Sequence, residues 1–481
     1  MARCRWAPSP VQRGTLRMTR SSSFIEAHYG IATTRFRVMS DTSVKVPGAD
    51  GAPVPSTRNM QASTPNGTGV PTYFRKGFGL KSEIQSELAS DYTGHLVDLL
   101  KDRDYTLTVD DLTIRLAKEF GFCYGVERAV EYAYQARKKF PDRTIYLAGE
   151  IIHNPHVNSK LQAMGITFLM PEKAGGGKGE AGSGAGGHID FGGVKAEDVV
   201  ILPAFGVTIS DFEILRQIGC VMVDTTCGSV LNVWKRVESY ARDGFTSLIH
   251  GKYYHEETRA TASQAEKYDG GQYFIVRTMD EAGLVCEFIE GRLSAGALME
   301  RFAHAASPNF DPARDLKRIG VANQTTMLAR ESLAIGELIG QSMTRAHGPE
   351  YARENFRTFD TICSATQERQ DAVVELLREP LDVMVVVGGY NSSNTLSLAA
   401  LCSESVRTFH VEDADDINPA SGVIRHRPLG SKEEVESSDW LSAAGPLRVG
   451  ITAGASTPNN KIGEAVGRIF ATRGIDPKTI Q

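Results

Sequence analysis

The sequence predicts an α/β fold of three similar strand–helix domains with parallel sheets, arranged around a pseudo-threefold axis. The main observation is an internal repeat, in which a short β-rich segment runs into a cysteine and then into an amphipathic helical pattern. This occurs three times, at Cys123, Cys227 and Cys363. In each repeat a second strand then ends in a polar turn, and a third strand ends in a polar loop. Such alternation of strands and helices is typical of parallel α/β sheets.

Each repeat contains the same elements in the same order: a cysteine segment, a helix, a strand with its polar turn, and a strand with its polar loop. The first comprises residues 120–123, 126–140, 145–147 with His153, and 199–202 with 205–208. The second comprises 221–227, 231–240, 247–250 with His255, and 319–322 with 324–326. The third comprises 359–363, 367–377, 383–387 with Ser392, and 449–452 with 454–456. The polar turn follows the cysteine by 30, 28 and 29 residues, which identifies one repeating unit.

The repeats predict α/β units at residues 112–215, 216–350 and 351–481, with a glycine-rich loop at 171–193 in the first. Ligands of open parallel sheets collect outside the carboxyl ends of the strands. Three units about one axis would therefore direct their loops at one centre, where the cysteines would meet. Gly177-Lys178 is followed by glycine instead of serine or threonine, which favours a flexible surface loop over a phosphate-binding Walker loop.

Two segments precede the repeats. Residues 1–65 are rich in arginine, serine and threonine and poor in acids, as is typical of an organelle transit peptide. A disordered tail without an address is the alternative. Residues 66–111 form a more ordered extension, which we expect to pack on the body, and its helical pattern includes Ile84, Leu88, Tyr92, Leu96 and Leu99.

Composition excludes several classes of protein. The chain has 481 residues, of which 41% are hydrophobic, and can bury a large core. Apolar stretches of the body such as residues 383–387 are far shorter than the roughly 20 residues of a membrane span, so no span is expected. A net charge of −5 provides no general basic field for nucleic acid. Seven cysteines, odd in number and never spaced as CxxC, favour a reducing compartment over a disulfide framework.

The repeated cysteines suit a metal centre. Each would lie at a helix amino terminus, where the macrodipole and unpaired amide groups lower thiol pKa. Zinc sites commonly use local CxxC pairs, which are absent, whereas an iron–sulfur cluster suits ligands from separate domains. Three cysteines on a cubane would leave one iron open as a Lewis acid. Inert buried cysteines are the alternative, and we assign that role to the cysteines outside the repeat, Cys4, Cys220, Cys286 and Cys402.

The polar turns and loops are rich in histidine, hydroxyl and amide donors, which suit a phosphate or diphosphate. They are residues 153–154, 255–257, 391–394, 324–326 and 455–457. Helix capping is the alternative role for Ser392 and Ser456. A carboxylate such as Glu257 beside a buried metal and anion would have a raised proton affinity, as a proton donor near neutral pH requires. Its alternative role is that of a solvated acid in the first turn of a helix.

These motifs resemble the 4-hydroxy-3-methylbut-2-enyl diphosphate reductase family, also called LytB or IspH. The resemblance runs from about residue 73 to about residue 470, through GFCYGVERAV, EIIHNPHVN, VILPAFG, VDTTC, IHGKYYHEETRATAS, ANQTTML, TICSATQERQDA, VVGGYNSSNT and GITAGASTP. RKGFG, LPAFG and HGKYYHEET are similar to the plant and cyanobacterial branch. That branch implies a plastid as the destination of the transit peptide.

The resemblance implies that Cys123, Cys227 and Cys363 hold one 4Fe-4S cluster with an open apical iron for the substrate hydroxyl. It implies that six residues bind the diphosphate, namely His153, His255, Ser392, Ser393, Asn394 and Ser456. It places Glu257 and Thr325 near the hydroxyl and in the proton path. The implied reaction delivers two electrons and protons to an allylic alcohol, expels water and yields isopentenyl and dimethylallyl diphosphate. This is the last step of the non-mevalonate (MEP) isoprenoid pathway, with a ferredoxin as the expected electron donor.

Two positions depart from the family pattern. Phe205 stands where many bacterial members have a diphosphate-contacting histidine, so that contact is not carried over. Gly228 follows Cys227 where proline is usual, which would loosen this ligand loop. The alternative classes are a non-enzymatic iron–sulfur carrier and a zinc hydrolase with a cysteine-bound water. Neither needs so many anion donors, and a carrier is expected to use four protein ligands instead of three.

Overall fold

Three mainly parallel β-sheets with flanking helices form the fold of the computed structural model, which describes residues 72–170, 188–442 and 445–480. All of these belong to the unit that spans residues 61–481. The proposed transit peptide at residues 1–65 and the glycine-rich stretch 171–187 lie outside the described residues. Within the described ranges, no helix combines the length and apolar character that a membrane crossing needs.

The strands and helices are numbered here in chain order. The strands are β1 (Tyr73–Phe74), β2 (Thr106–Val109), β3 (Leu112–Leu116), β4 (Ile145–Ala148), β5 (Ile166–Leu169), β6 (Val199–Leu202), β7 (Val221–Asp224), β8 (Thr246–His250), β9 (Tyr273–Val276), β10 (Ile319–Asn323), β11 (Phe356–Thr358), β12 (Val383–Val387), β13 (Thr408–Val411), β14 (Ile417–Asn418), β15 (Val423–His426), β16 (Val435–Ser437) and β17 (Leu447–Ala453). The helices are α1 (Lys81–Tyr92), α2 (His95–Asp102), α3 (Tyr124–Lys139), α4 (Pro155–Ala163), α5 (Ile209–Ile218), α6 (Gly228–Arg242), α7 (Glu256–Ser263), α8 (Met279–Ile289), α9 (Ala295–Phe302), α10 (Pro312–Asp315), α11 (Ala329–His347), α12 (Pro349–Asn355), α13 (Ser364–Leu376), α14 (Ser393–Ser403) and α15 (Asn459–Ala471).

The strand order defines the three sheets. Sheet 1 is β1-β7-β6-β4-β5, sheet 2 is β11-β10-β8-β9, and sheet 3 is β13-β12-β17-β3-β2. Every pairing in them is parallel except that between β2 and β3. Central strands such as β10 and β12 are buried along their whole length, as expected for parallel strands covered on both faces. The predicted α/β class with parallel sheets is confirmed, and the small antiparallel sheet β14-β15-β16 was not predicted.

The strand pairings differ from the predicted unit boundaries by one strand in each unit. Strand β3, expected in the first unit, pairs with β17 of sheet 3. Strand β7, expected in the second unit, pairs with β6 of sheet 1. Strand β11, expected in the third unit, pairs with β10 of sheet 2. The repeat marks equivalent positions along the chain, but hydrogen-bonded neighbours are chosen by packing, which sequence periodicity does not report.

The helix after each of these strands packs on the next sheet. Helix α3 shares a core with β4 of sheet 1, α6 with β10 of sheet 2, and α13 with β12 of sheet 3. Downstream of the N-terminal extension, the described chain therefore crosses between the three main sheets three times, between β3 and α3, between β7 and α6, and between β11 and α13. Each crossing contains one of the repeated cysteines. The cysteines consequently lie at the boundaries between sheets.

The N-terminal extension packs on the body, as predicted. Its helical pattern is divided into α1 and α2 by extended backbone at Thr93 and Gly94. Gly94 packs closely on α15, since a Cβ atom there would lie only 2.6 Å from the carbonyl oxygen of Asn459. Leu96 and Leu100 join the core of sheet 3, and Ile84 joins that of sheet 1. The extension also supplies the edge strand β1, which pairs with β7. It thereby braces two of the three sheets.

Candidate active site

The three repeated cysteines are equivalent in position. Each immediately precedes a helix, with Cys123 before α3, Cys227 before α6 and Cys363 before α13. Each backbone N–H donates to a carbonyl in the third-strand loop of the sheet that the chain is leaving. The acceptors are Ala455 (3.2 Å), Ala204 (2.9 Å) and Thr325 (3.3 Å), in the same order. The repeat therefore extends to the hydrogen bonds that hold the cysteines.

The cysteine sulfurs approach one another across the sheet boundaries. A Cβ atom added to Gly125 would lie 2.5 Å from Cys227 Sγ and 3.9 Å from Cys123 Sγ, so both sulfurs face the first turn of α3. Burial is the main cause that raises the pKa of Cys363, and charge on the nearby Cys123 raises it further. Arg369, on α13, donates to the carbonyl of Gly121 at 2.7 Å and so joins the Cys363 helix to the Cys123 loop. This grouping is the convergence that the repeat predicts.

The amide groups at the helix termini lower the pKa values of two of the thiols as predicted, but burial outweighs them in Cys123 and Cys363. Burial raises the pKa of Cys123, although the backbone N–H groups at the start of α3 oppose it. Burial also raises the pKa of Cys363 to about 11. Loss of water penalises a thiolate more than these amide dipoles stabilise it. A bound cation would be needed to hold the pair as thiolates.

The described cysteines outside the repeat are core residues. Cys220, Cys286 and Cys402 are buried, and burial raises the pKa of Cys402 to about 12. Cys402 packs with Leu398 and Met384. These surroundings agree with the inert role expected for them. Cys4 lies outside the described residues.

The histidines of two second-strand turns come together. His153 Nε2 lies 3.2 Å from His255 Nε2, and both side chains are buried. Burial opposes the charged form of His153, but the carboxylates of Glu150 and Glu256 raise its pKa to about 9. Burial lowers the pKa of His255 to about 3. At neutral pH the pair therefore comprises one cationic and one neutral imidazole.

Phe205 takes part in this site by packing. Its ring stacks on His153 with 4.4 Å between the ring centroids and 23° between the planes. The same ring meets His255 edge-on at 5.4 Å. Phenylalanine has no hydrogen-bond donor, so this position orients the histidines without binding an anion. Gly228, the second departure from the family pattern, is the first residue of α6, and a Cβ atom there would contact nothing within 4 Å.

The third unit contributes hydroxyl and amide groups. Ser456 Oγ donates to the carbonyl of His153 at 3.2 Å and lies 3.5 Å from Ser392 Oγ. Ser392 caps α14 by accepting from the N–H of Thr395, whereas Ser456 caps no helix, because α15 begins at Asn459. Asn394 Oδ1 accepts from Ala455 N at 2.8 Å. Across the described ranges no partner was found for its buried Nδ2, which leaves a free donor at the pocket.

Glu257 links His255 to Thr325, in the loop that follows β10. Its Oε1 accepts from the backbone N–H of Thr325 at 2.6 Å, and its own N–H donates to His255 Nδ1 at 3.1 Å. The side chain is 1% exposed, so the alternative of a solvated helix-start acid does not apply. Burial raises the pKa of its carboxyl to about 7, against the hydrogen bonds from Thr325, and this is the direction predicted. Thr325 is itself buried.

Glu256 faces the other side of the histidine pair. Its Oε2 lies 3.5 Å from His153 Nε2, and its pKa falls to about 2, because His153 outweighs the opposing effect of burial. Ligand atoms of His153, His255 and Glu256 lie within 4.8 Å of one another, so this trio could hold a metal ion. The sequence did not predict a cation there. The trio and the cysteines are thus two distinct sets of candidate metal ligands.

Comparison with known proteins places this geometry in a family. A family model described as LytB protein matches residues 114–470. The chain belongs to the LytB family. Two relatives, from Gloeobacter violaceus (strain ATCC 29082 / PCC 7421) and Thermosynechococcus vestitus (strain NIES-2133 / IAM M-273 / BP-1), are 47% and 45% identical over 404 residues each. Both are named 4-hydroxy-3-methylbut-2-enyl diphosphate reductase, and the alignments cover 84% of this chain and 93% and 95% of theirs.

A solved structure supports the LytB fold. The E-1-hydroxy-2-methyl-but-2-enyl-4-diphosphate reductase from Plasmodium falciparum matches with a TM-score of 0.51 and 22% identity, over 74% of this chain and 87% of that one. At this identity the likeness shows the fold alone. The cyanobacterial relatives agree with the plant and cyanobacterial branch that the motifs indicate.

Sequence reasoning missed several residues of this LytB site. Lys252 donates to Ser393 Oγ at 3.0 Å, and Glu150 Oε2 lies 2.8 Å from His153 Nδ1. Gln324 was singled out only as a donor, yet its Oε1 accepts from Lys252 N and from Thr258 Oγ1. Charged residues in loops are usually solvated, so the sequence carries no local signal for Lys252 or Glu150. In the sequence, the position of Lys252 and Glu150 just after the second strand of a repeat is the signal that could have identified them.

Proposed function

We propose that this chain is an oxidoreductase that converts 4-hydroxy-3-methylbut-2-enyl diphosphate to isopentenyl and dimethylallyl diphosphate. This is a reductive dehydroxylation and the last step of the MEP route to isoprenoids. The carrying observation is a continuous chain of contacts from a cysteine to the polar pocket. Cys363 N donates to Thr325 O, Thr325 N to Glu257, and Glu257 N to His255, which meets His153.

The cofactor in this proposal is one 4Fe-4S cluster per chain, held by Cys123, Cys227 and Cys363. The donor set fits, because three cysteines from three sheet crossings group around the start of α3 and α13. Thiolate is the ligand that such clusters use. When bound, the cluster would supply electrons and a Lewis-acidic iron that lacks a protein ligand. Exclusion of water by the surrounding loops strengthens electrostatic interactions within the site.

Binding of the diphosphate is assigned to His153, His255, Ser392, Ser393, Asn394 and Ser456. All six are buried, and they come from second-strand turns and from the β17 loop. The free Nδ2 of Asn394 supports this assignment, because a buried donor without a partner is costly unless a ligand accepts from it. The amino terminus of α14 adds backbone N–H groups beside Ser392 and Ser393.

Proton supply is assigned to Glu257, with Thr325 as its neighbour. A carboxyl with a pKa of about 7 is protonated for much of the time near neutral pH and can donate to a leaving hydroxyl. The hydrogen bond from Thr325 N orients it. In the balanced reaction two electrons and two protons enter, the carbon–oxygen bond breaks, and water leaves.

The proposal extends to the compartment of the cell and to the electron donor. A plastid is the proposed destination, with residues 1–65 as the transit peptide, and a ferredoxin is the proposed electron donor. The cyanobacterial relatives support a plastid-type lineage. Fusion of residues 1–65 to a fluorescent protein tests the address, and a cytosolic signal would refute it.

An anaerobic turnover assay tests the function. The purified chain, reconstituted with iron and sulfide, is mixed with reduced viologen and the diphosphate substrate, and both viologen oxidation and products are followed. We expect substrate-dependent oxidation with release of both isoprenoid diphosphates. A protein that carries its cluster but oxidises no viologen would contradict the enzyme and favour an iron–sulfur carrier. A protein that binds zinc and no iron would contradict the cofactor.

A further inference from the structure

Lys252 is a cation at the proposed diphosphate pocket that no role has yet explained. It lies two residues beyond the end of β8, and its Nζ donates to Ser393 Oγ at 3.0 Å. Its backbone N–H donates to Gln324 Oε1 at 3.1 Å, which holds the residue against the β10 loop. Burial, with a contribution from Arg277, lowers the pKa of the ammonium to about 8. Within the described ranges no carboxylate oxygen lies within 4.0 Å of Nζ.

His153, a second cation of the pocket, is already neutralised by carboxylates. His153 Nδ1 lies 2.8 Å from Glu150, and its Nε2 lies 3.5 Å from Glu256, so two carboxylates face one imidazolium. His255 Nδ1 accepts a hydrogen bond from Glu257 N at 3.1 Å, so this nitrogen carries no proton and the ring is neutral. A single phosphate monoester carries about −1.5 to −2 charges at pH 7, and a diphosphate needs at least as much compensation. The histidines do not provide it.

The hydrogen bonds of Ser393 determine how the lysine acts. A serine hydroxyl offers one donor and two acceptor lone pairs. Ser393 Oγ accepts from Lys252 Nζ at 3.0 Å and from Gln324 Nε2 at 3.1 Å, so both lone pairs are used. Its hydrogen is therefore left to donate to a third group. Lys252 and Gln324 together orient Ser393 as a donor before any ligand arrives.

We propose that Lys252 is the principal counter-charge for the substrate's diphosphate, and that it also orients Ser393 to donate to the same group. The inference rests on the proposed function, which identifies the ligand as a diphosphate. Lys252 is half-buried, and an ammonium without a carboxylate partner in such a site is unfavourable until an anion arrives. Binding of the diphosphate removes that penalty, and Lys252 thereby contributes to affinity more than to the chemical step.

The test compares Lys252→Met with the parent and with Lys317→Met, an exposed lysine of the same half of the chain. The dissociation constant of inorganic diphosphate is measured by calorimetry with EDTA present, so that no divalent cation shields the charge. We expect binding to weaken about 10- to 100-fold in Lys252→Met and to stay within about twofold of the parent in Lys317→Met. Lys252→Arg, which keeps the charge, should recover part of the loss.

Kinetics and salt dependence separate binding from a structural role. In Lys252→Met we expect KM for the substrate to rise with kcat nearly unchanged, as for a group that binds ground and transition states alike. The diphosphate affinity of the variant should also fall less steeply with added salt. Diphosphate affinity and salt dependence equal to those of the parent would overturn the inference, as would an equal loss in Lys252→Arg. A parent that binds diphosphate but does not turn over would instead contradict the proposed function.

Discussion

At the scale of the residue, burial and neighbouring charges together decide the charge of the ionisable groups in the site. Glu256 and Glu257 are neighbours in the chain, yet the pKa of one falls to about 2 and that of the other rises to about 7. Glu256 faces the imidazolium of His153, whereas for Glu257 burial outweighs the opposing effects of Thr325 and His153. Two carboxyl groups whose environments separate their pKa values are suited to different roles.

Replacing Glu257 with glutamine should suppress turnover about 10²- to 10⁴-fold, the usual contribution of a general acid. Glutamine keeps the shape and can still accept from Thr325 N, but it has no proton to give. Cluster content and the affinity for inorganic diphosphate should match the parent. Undiminished turnover would refute the proton role. Glu266→Gln is the control, because burial also raises its pKa but it makes none of the pocket's hydrogen bonds.

The same carboxyl predicts a pH dependence. Because the active form is protonated, kcat should fall as pH rises through about 7, towards tenfold per unit. The pKa of this carboxyl in the folded protein exceeds the ordinary value of 4.5, so the folded protein binds more protons than the unfolded chain between pH 4.5 and about 7. The free energy of unfolding should therefore fall as pH rises through that window. Glu257→Gln should remove both trends. Stopped-flow rates and thermal melts between pH 5 and 9 provide the measurement, and an unchanged profile in the variant would assign the pH dependence to another group.

At the scale of the element, the contact between α3 and the Cys227 loop holds two cysteines together. Gly125 lies in the first turn of α3, and its lack of a side chain lets Cys227 Sγ approach. Any Cβ there would lie 2.5 Å from that sulfur, which is too close for a real contact. The glycine is thus required by the approach of a neighbouring loop and not by its own backbone conformation.

Gly125→Ala should therefore displace Cys227 and lower cluster content several-fold, although alanine favours the helix. Gly283→Ala on α8 is the matched control, because nothing lies within 4 Å of the added Cβ, and it should be neutral or stabilise by up to ~1 kcal/mol. Iron and sulfide analysis together with the visible absorbance of both variants checks this. Full cluster content in Gly125→Ala would show that the loop can move aside at no cost.

At the scale of the whole molecule, three crossings between sheets bring the ligands to one place. The chain passes from sheet 3 to α3 at Cys123, from sheet 1 to α6 at Cys227, and from sheet 2 to α13 at Cys363. A metal centre bound by all three would join every pair of sheets. Because such binding exists only in the folded state, its free energy adds to the stability of the fold.

Cys363→Ser should accordingly abolish retention of the cluster and lower the Tm to that of the cluster-free parent. Cys402→Ser should retain the cluster, although a hydroxyl in the core costs roughly 1–3 kcal/mol. Anaerobic calorimetry of the loaded and chelator-treated proteins measures both effects. Equal cluster loss in the two variants would contradict the assignment of ligands.

Most residues of the candidate site could be predicted from the sequence, because local patterns in the chain indicate them. A cysteine between a strand and a helix, and a polar turn about thirty residues later, are features of the chain itself. The direction of the pKa shift of Glu257 was also foreseen, from its expected place beside a buried metal and anion, whereas the structure gives burial of Glu257 itself as the main cause. The thiol pKa values were not, because dipole and desolvation oppose each other and only the degree of burial decides between them.

The sequence by itself determined the α/β class, the threefold repeat and the polar residues that gather at the strand ends. Only the tertiary structure decided that β3 pairs in sheet 3, β7 in sheet 1 and β11 in sheet 2. It also decided that the side chain of Lys252 donates to Ser393. The physical reason is that periodicity and turn chemistry act between near neighbours in the chain. Strand partners, burial and the balance of charge arise from contacts between residues far apart in sequence.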